Sequence, residues 1–338
     1  MQQQPVVVQI AERASVVECN LKYNLVVAVA ENGAAYTWGV GVNGIPQTSR
    51  PTLAPGIRGA YLATAGFTNV YVAAEGDVYA WGDGSYGANG QGNGNSLGTP
   101  TLVSGLPVLK VVSMAGVGRS CFVVFENGEL WGWGQNQYNV MARTGSDAYT
   151  AEYTAERIAV GAPVAQVVGS EYSVYALLAD GTTVAGGNND DGRLGIGTSG
   201  GVITNPTPVA LPAGATTALI ARLRQAYAVV DGSVYSWGYN SGAVLGDPTA
   251  TGNRLAPAPL NPPLSGIAAL ASGDDSAYAL TTDGVIVSWG TNHEYALGNG
   301  SANGAQVPTP LPVKGILDGR TVTRMSRQAG NNSMYAMV

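Results

Sequence analysis

One ruler is laid down six times along this chain, and it constrains the fold more than any other feature. The dipeptide Trp-Gly begins at Trp38, Trp81, Trp133, Trp237 and Trp289, and Gly186-Gly187 holds its place between the third and the fourth. Successive anchors are 43, 52, 53, 51 and 52 residues apart. Five residues before each anchor stands a glycine: Gly33, Gly76, Gly128, Gly181, Gly232 and Gly284. It closes an Asn-Gly or Asp-Gly pair in five copies and Glu75-Gly76 in the other. Nine residues after the anchor comes a small residue in five copies: Gly90, Ala142, Gly195, Gly246 and Gly298. A period of this size marks a supersecondary unit whose apolar faces are covered by its neighbours.

The five-residue interval reads as a β-hairpin. Asn-Gly and Asp-Gly supply the positive φ angles of a tight turn. A short apolar run precedes the turn, as in Ser276-Ala277-Tyr278-Ala279-Leu280, and another follows, as in Val285-Ile286-Val287-Ser288-Trp289. Small and apolar residues alternate along these runs, which fits sheets covered on both faces. The Trp is expected between neighbouring sheets, with the following Gly bending the chain away. Proline-rich stretches such as Thr99 to Pro107 and Val307 to Pro312 are expected to lead into the next unit. Composition agrees. With 48 Gly, 18 Pro and only 11% charged residues, the chain lacks the Lys, Glu and Arg that cover exposed helix faces.

About 48 residues per unit fits seven units into 338 residues, yet there are six anchors. Val322 to Ala336 resembles the first half of a unit, and Val6 to Ile10 reads as a strand without a sheet. The expected fold is therefore all-β: a seven-bladed β-propeller of four-stranded antiparallel blades, closed by pairing of N- and C-terminal strands in one blade. A single domain is expected over 1–338, with units at 16–59, 60–107, 108–163, 164–214, 215–266 and 267–320. The last blade takes 321–338 plus 1–15.

The pattern resembles the repeat of the regulator of chromosome condensation family. The sixth unit carries it as Ala271-Ser272-Gly273, Ser276, Asp283-Gly284, Val287-Ser288-Trp289-Gly290-Thr291-Asn292 and Leu297-Gly298-Asn299-Gly300. The fourth carries Asp180-Gly181, Gly186-Gly187-Asn188 and Gly192-Arg193-Leu194-Gly195. The resemblance implies a seven-bladed propeller that binds other proteins, as an exchange factor or an enzyme inhibitor does. The matching motifs are structural, so no partner-facing residue is carried over.

Enzyme chemistry finds little support. There is one histidine, His293, and Gly94-Asn95-Ser96-Leu97-Gly98 lies in a Gly/Asn loop instead of the strand-to-helix elbow a nucleophile requires. Gly82 to Gly87 and Gly195 to Gly200 match Gly-x-Gly-x-x-Gly without a helix to bind a dinucleotide. Asn188 to Gly192 lacks the spaced acidic ligands of a Ca²⁺ loop. Cys19 and Cys121 are too few for a disulfide framework or a four-Cys zinc site and read as small buried hydrophobes. No enzymatic activity, cofactor, metal or small-molecule substrate is expected. Net charge is −6, with three Lys against thirteen Arg, which argues against nucleic acid. No apolar run is long enough to insert in a membrane. The start, Met-Gln-Gln-Gln-Pro, shows no signal peptide, so synthesis in the cytoplasm is expected, with a virion as one destination.

Protein partners remain, because loops on a rigid scaffold present side chains without a catalytic constellation. The third unit departs from the Gly/Pro connector pattern between Arg143 and Arg157. Arg143, Asp147, Tyr149, Glu152, Tyr153, Glu156 and Arg157 are the candidate partner-binding residues, combining Tyr and both charge signs in a charge-poor chain. As a solvated insertion, this segment would carry a helical turn at most. The low charge and Gly/Ala/Thr/Asn-rich loops favour a structural or decoration component of a larger assembly, such as a phage virion. A soluble regulator or inhibitor docking a single protein is the alternative.

Overall fold

The computed structural model describes residues 14–19, 25–39, 41, 43–142, 150–315, 317, 319–326 and 336–337. Among them there is no α-helix. The chain is an all-β propeller of four-stranded antiparallel blades, and it divides into two compact units.

The larger unit covers Gln9–Asn188 and Val202–Pro208 and holds four blades. The first is β1 (Ala14–Cys19), β2 (Val26–Ala30), β3 (Ala35–Gly39) and β4 (Thr48–Leu53). The second is β5 (Ala60–Ala65), β6 (Asn69–Ala74), β7 (Asp77–Gly82) and β8 (Leu97–Leu102). The third is β9 (Val111–Val117), β10 (Ser120–Phe125), β11 (Leu130–Gln135) and β12 (Ala151–Ile158). The fourth is β13 (Val164–Gly169), β14 (Ser173–Leu178), β15 (Thr183–Asn188) and β16 (Val202–Pro208).

The smaller unit contains Asn189–Gly201 and Val209–Val338 among its segments and holds two blades. One is β17 (Thr216–Arg222), β18 (Gln225–Val230), β19 (Ser233–Gly238) and β20 (Arg254–Pro259). The other is β21 (Ile267–Ser272), β22 (Ser276–Thr281), β23 (Ile286–Thr291) and β24 (Gln306–Pro312). A two-stranded sheet of β25 (Arg324–Met325) and β26 (Ala336–Met337) follows.

Three expectations change. Among the described residues there are six four-stranded blades, not seven, and the region assigned to the last blade contributes only the β25–β26 pair. Ala14 and Ser15, assigned to the last blade, instead begin β1 of the first, where Ala14 pairs with Ala30. Residues 1–13 and 327–335 of the expected shared blade lie outside the described residues. The proline-rich connectors are the outermost strands β8, β16, β20 and β24, since an edge strand loses no ladder bond to proline. The expected insertion in the third blade is likewise a strand from Ala151 onward.

Each hairpin is closed by a glycine at positive φ (76–90° at Gly33, Gly76, Gly128, Gly181, Gly232 and Gly284), but the residue before it joins it there in only two of the six. Glu75 and Gly76 (φ 50° and 90°), like Asp231 and Gly232 (φ 48° and 76°), place both central residues at positive φ, as a two-residue hairpin turn requires. The second strand of each blade is buried on both faces, as in β6, β10, β14 and β18. Gly290 shows why Gly follows the Trp: its φ is 103°, and a Cβ there would collide with the Asp275 carbonyl.

The repeat is locked by a recurring latch. In the larger unit, the Tyr71 hydroxyl and the Trp133 indole N–H both donate to the Ala88 carbonyl, at 3.0 and 3.1 Å. In the smaller unit, Tyr227 and Trp289 both donate to Val244, at 2.7 and 2.8 Å. Each Tyr–Trp pair meets edge-on, with centroids 5.8 and 5.9 Å apart. Trp237 donates to the Arg193 carbonyl at 3.0 Å. The small residue nine positions after an anchor lies beneath the next Trp: a Cβ on Gly195 would stand 2.7 Å from the Trp237 ring. Where the anchor is Gly186, the latch is absent as a set. Phe122 stands where Tyr71 and Tyr227 do in register, and Ala142 replaces the glycine. Phe122, Val140, Met141 and Val184 pack there as an apolar cluster instead.

Burial sets an alkaline limit. It pushes the Tyr71 and Tyr227 hydroxyls well above their ordinary value and Tyr278 to about 12, and it raises the buried Cys121 thiol well above the thiol range. The folded state therefore holds these protons after the unfolded chain has released them, so stability falls as pH rises past about 9–10. Absorbance at 295 nm should show these tyrosines ionising only together with loss of near-UV circular dichroism. Their titration near pH 10 in a folded protein would contradict this burial.

Candidate functional site

Antiparallel order brings two connections of each blade to one end: the turn between its first two strands and the loop after its third. Five of these loops begin with a single 3-10 turn: Ser85–Gly87, Gln137–Asn139, Asp190–Gly192, Ser241–Ala243 and His293–Tyr295. Four are held by an Asn three residues after the anchor. Asn136, Asn189, Asn240 and Asn292 accept, at their side-chain oxygens, the N–H of Met141, Leu194, Leu245 and Leu297 at 2.9–3.3 Å.

The centre of each turn lies in the left-handed region: Tyr86 (φ 60°), Tyr138 (56°), Asp191 (64°), Gly242 (62°) and Glu294 (49°). Only Gly242 is the residue type this backbone favours, and each other side chain costs about 1–2 kcal/mol relative to a relaxed conformation. Large or charged side chains kept at such positions point to use at the loop end.

In the larger unit these side chains meet the turn residues. The Arg119 guanidinium lies 5.4 Å from the centre of the Tyr86 ring, a cation–π distance. Tyr138 and Tyr172 stack at a tilt with centroids 5.0 Å apart. Burial first, and then the neighbouring Glu171, pushes Tyr172 up to about 12, so it stays a neutral hydrogen-bonding phenol.

In the smaller unit two of the three turn centres, Asp191 and Glu294, are charged. Asp191 lies 3.6 Å from Arg193 and 3.5 Å from Arg224, and its carboxylate accepts from the Asn253 amide at 3.1 Å. Arg224 also covers the Tyr239 ring at 5.4 Å. Arg222, fully buried, donates through Nε to Asp274 at 2.9 Å and places Nη2 2.8 Å from the same oxygen. Gln225 donates to the Asp274 carbonyl at 2.7 Å, tying the two turns together. Beyond them a cleft of about 300 Å³ is lined by Asp274, Asp275, Ser276, Thr291, His293, Glu294 and Ala296. His293 Nε2 is 3.7 Å from Asp275. Burial raises the Asp275 carboxyl above its usual range, against the pull of His293.

The candidate residues from the sequence are divided. Arg143, Asp147 and Tyr149 lie outside the described residues. Glu152, Tyr153, Glu156 and Arg157 lie on β12, where Arg157 Nε is 3.2 Å from Glu129 and the Tyr153 carbonyl accepts from Gly92 N–H at 2.8 Å. The five turn centres were missed, although their constant place five residues after each anchor was the signal. The Gly94 to Gly98 motif runs into strand β8, and Ser96 Oγ accepts from Gly84 N–H at 3.3 Å. Among the described residues no group of three or more His, Cys, Asp or Glu is placed to hold a metal, and no helix is long and apolar enough to cross a membrane.

Four-stranded antiparallel blades, each carrying a turn and a loop at one end, define a β-propeller. The model of the regulator of chromosome condensation (RCC1) repeat matches residues 75–124. The human E3 ubiquitin-protein ligase HERC2 is 30% identical over 236 residues, 63% of this chain and 5% of the ligase. The guanine nucleotide exchange factor SRM1 of Saccharomyces cerevisiae is 25% identical over 290 residues, 79% of this chain and 60% of that protein. The crystal structure of yeast RCC1 (Prp20) bound to Kap60 matches with a TM-score of 0.80 and 20% identity, covering 92% of this chain and 77% of that one. The chain thus spans from a twentieth to three-fifths of the curated relatives it matches. It carries the RCC1 repeat at residues 75–124 and the fold of the RCC1-like β-propellers.

Proposed function

We propose that the protein is a non-enzymatic propeller that docks a protein partner through the loop end of its blades, acting as a regulator. The observation that carries this reading is the set of turn centres Tyr86, Tyr138, Asp191 and Glu294, kept in a conformation that favours glycine. Tyr and Arg, which dominate here, are also the residues that anchor interfaces. Relatives named for nucleotide exchange or ubiquitin ligation support a regulator over a virion or decoration component. Arg143, Asp147, Tyr149, Glu152, Tyr153, Glu156 and Arg157 are proposed as a second, lateral part of the docking surface.

Exchange of Glu294 for glycine separates binding from folding. Glu294→Gly is expected to raise stability by about 0.5–1 kcal/mol in denaturant melts through relief of the left-handed backbone, while reducing partner capture from native extract. Stability gained with undiminished capture would remove Glu294 from the docking surface.

We also propose that residues 1–13 and 321–338 complete one further blade and make 1–338 a single domain. Deleting residues 1–10 or 324–338 should then lower the melting temperature of the whole chain. An unchanged melting temperature would refute the shared blade.

A further inference from the structure

We infer that Arg119, at the loop end of the third blade, receives a carboxylate side chain of the partner protein. This deepens the docking function proposed above and rests on it. Two arginines occupy one register of the repeat. Arg119 precedes Ser120 and Arg224 precedes Gln225, and each of those strand residues pairs with the glycine after an anchor, Gly134 or Gly238. The arginine carbonyls accept the next N–H along, Gln135 at 3.2 Å and Tyr239 at 2.9 Å. Both side chains therefore leave equivalent backbone.

Each guanidinium then meets the turn centre five residues after the preceding anchor. For Arg224 that residue is Asp191, whose carboxylate lies 3.5 Å away, and the Tyr239 ring adds an aromatic face at 5.4 Å. For Arg119 it is Tyr86, which supplies the aromatic face at 5.4 Å but no charge. Among the described residues no carboxylate forms an ion pair with Arg119, and its buried Nε has no hydrogen-bond partner. The repeat gives Arg224 a ring and a counterion; it gives Arg119 the ring alone.

The unmatched charge defines the ligand. Arg119 is partly buried, and a planar carboxylate satisfies a guanidinium with two parallel charge-assisted hydrogen bonds. Tyr172 lies within reach of the Arg119 charge and stacks on Tyr138, so the guanidinium borders a patch of three tyrosines. Such a patch gives a protein segment area to bury that a free carboxylate would leave exposed. The acid of the neighbouring turn, Glu171, interacts with the Tyr172 hydroxyl. One guanidinium balances one negative charge, and Glu171 opposes a second, so a carboxylate fits better than a phosphate dianion.

Three small probes test this by NMR titration of the whole chain: the α-amides of N-acetylglutamic acid, N-acetylglutamine and N-acetylphosphoserine. The glutamic acid probe should shift the Gly118 and Tyr172 backbone amides saturably and leave that of Arg224 in place. The other two probes should bind about tenfold more weakly. Arg119→Gln should lose about tenfold for the glutamic acid probe, and Arg119→Lys should fall between it and wild type. Tyr86→Asp supplies the counterion that Arg224 already has and should abolish the response, whereas Tyr86→Asn should keep part of it. Both residues are tolerated by a left-handed backbone, so this pair separates charge from folding. A response that survives Arg119→Gln, or that Tyr86→Asp and Tyr86→Asn weaken equally, overturns the site. Tighter binding of the phosphoserine probe overturns the carboxylate. If a partner captured from native extract by wild type is held equally by Arg119→Glu, the partner's carboxylate is overturned while the docking function stands. If wild type itself captures no partner, the docking function fails.

Discussion

Trp289→Ala is expected to destabilise the protein by about 3–5 kcal/mol, a loss that should appear as a large downward shift of the denaturant midpoint. Trp289 is fully buried, packs edge-on against Tyr227, and donates to the Val244 carbonyl at 2.8 Å. Deleting the ring removes apolar contacts on both sides and leaves that carbonyl with the Tyr227 hydroxyl at 2.7 Å. Trp289→Phe should recover most of the packing but not the indole hydrogen bond, worth about 1 kcal/mol. A loss below about 1 kcal/mol for the alanine variant would mean that the latch does not hold these blades.

Asp274→Ala is expected to cost about 3 kcal/mol, because it removes the carboxylate from a guanidinium that is fully buried. Arg222 cannot neutralise itself by losing its proton, so the charge stays in place after the Asp274 carboxylate is removed. Replacing the pair together, as Arg222→Met/Asp274→Ala, should be milder than Asp274→Ala alone, since no buried charge remains. That ordering separates a buried-charge penalty from simple loss of packing. Equal loss in the single and double variants would contradict it.

Much of this fold was legible in the amino-acid order because the repeat is enforced locally. A glycine at positive φ closes each hairpin, and the glycine after each Trp is required where a turn carbonyl comes close, as at Gly290. The outer strands were not legible. Proline in Leu97–Leu102 and Gln306–Pro312 reads as connector, and only the edge position makes it compatible with a strand. The start of the first strand was likewise hidden: Ala14 and Ser15 were assigned to the last blade, and their place in Ala14–Cys19 depends on pairing with Val26–Ala30 that no local signal names. In the sequence, Gly186 is an isolated departure from the Trp anchor. In the structure it belongs to a concerted set with Phe122 and Ala142, a coupling across blades that periodicity alone does not reveal.

The candidate site was less legible for a related reason. Composition singles out Arg143 to Arg157, whereas the turn centres Tyr86, Tyr138, Asp191 and Glu294 differ in residue type and share only a backbone angle. The left-handed angle is visible only once the 3-10 turns are formed. Pairings such as Arg119 with Tyr86 and Arg224 with Asp191 join segments separated by roughly thirty residues in the chain, a distance that sequence spacing does not bridge.

Sedimentation of native source extract through a gradient, followed by mass spectrometry of the fractions holding this chain, tests the docking function most directly. The chain should travel with one other protein in a stoichiometric complex far smaller than a megadalton. Recovery at fixed ratio within a megadalton particle, or solely as the free 34.4 kDa chain, would contradict it.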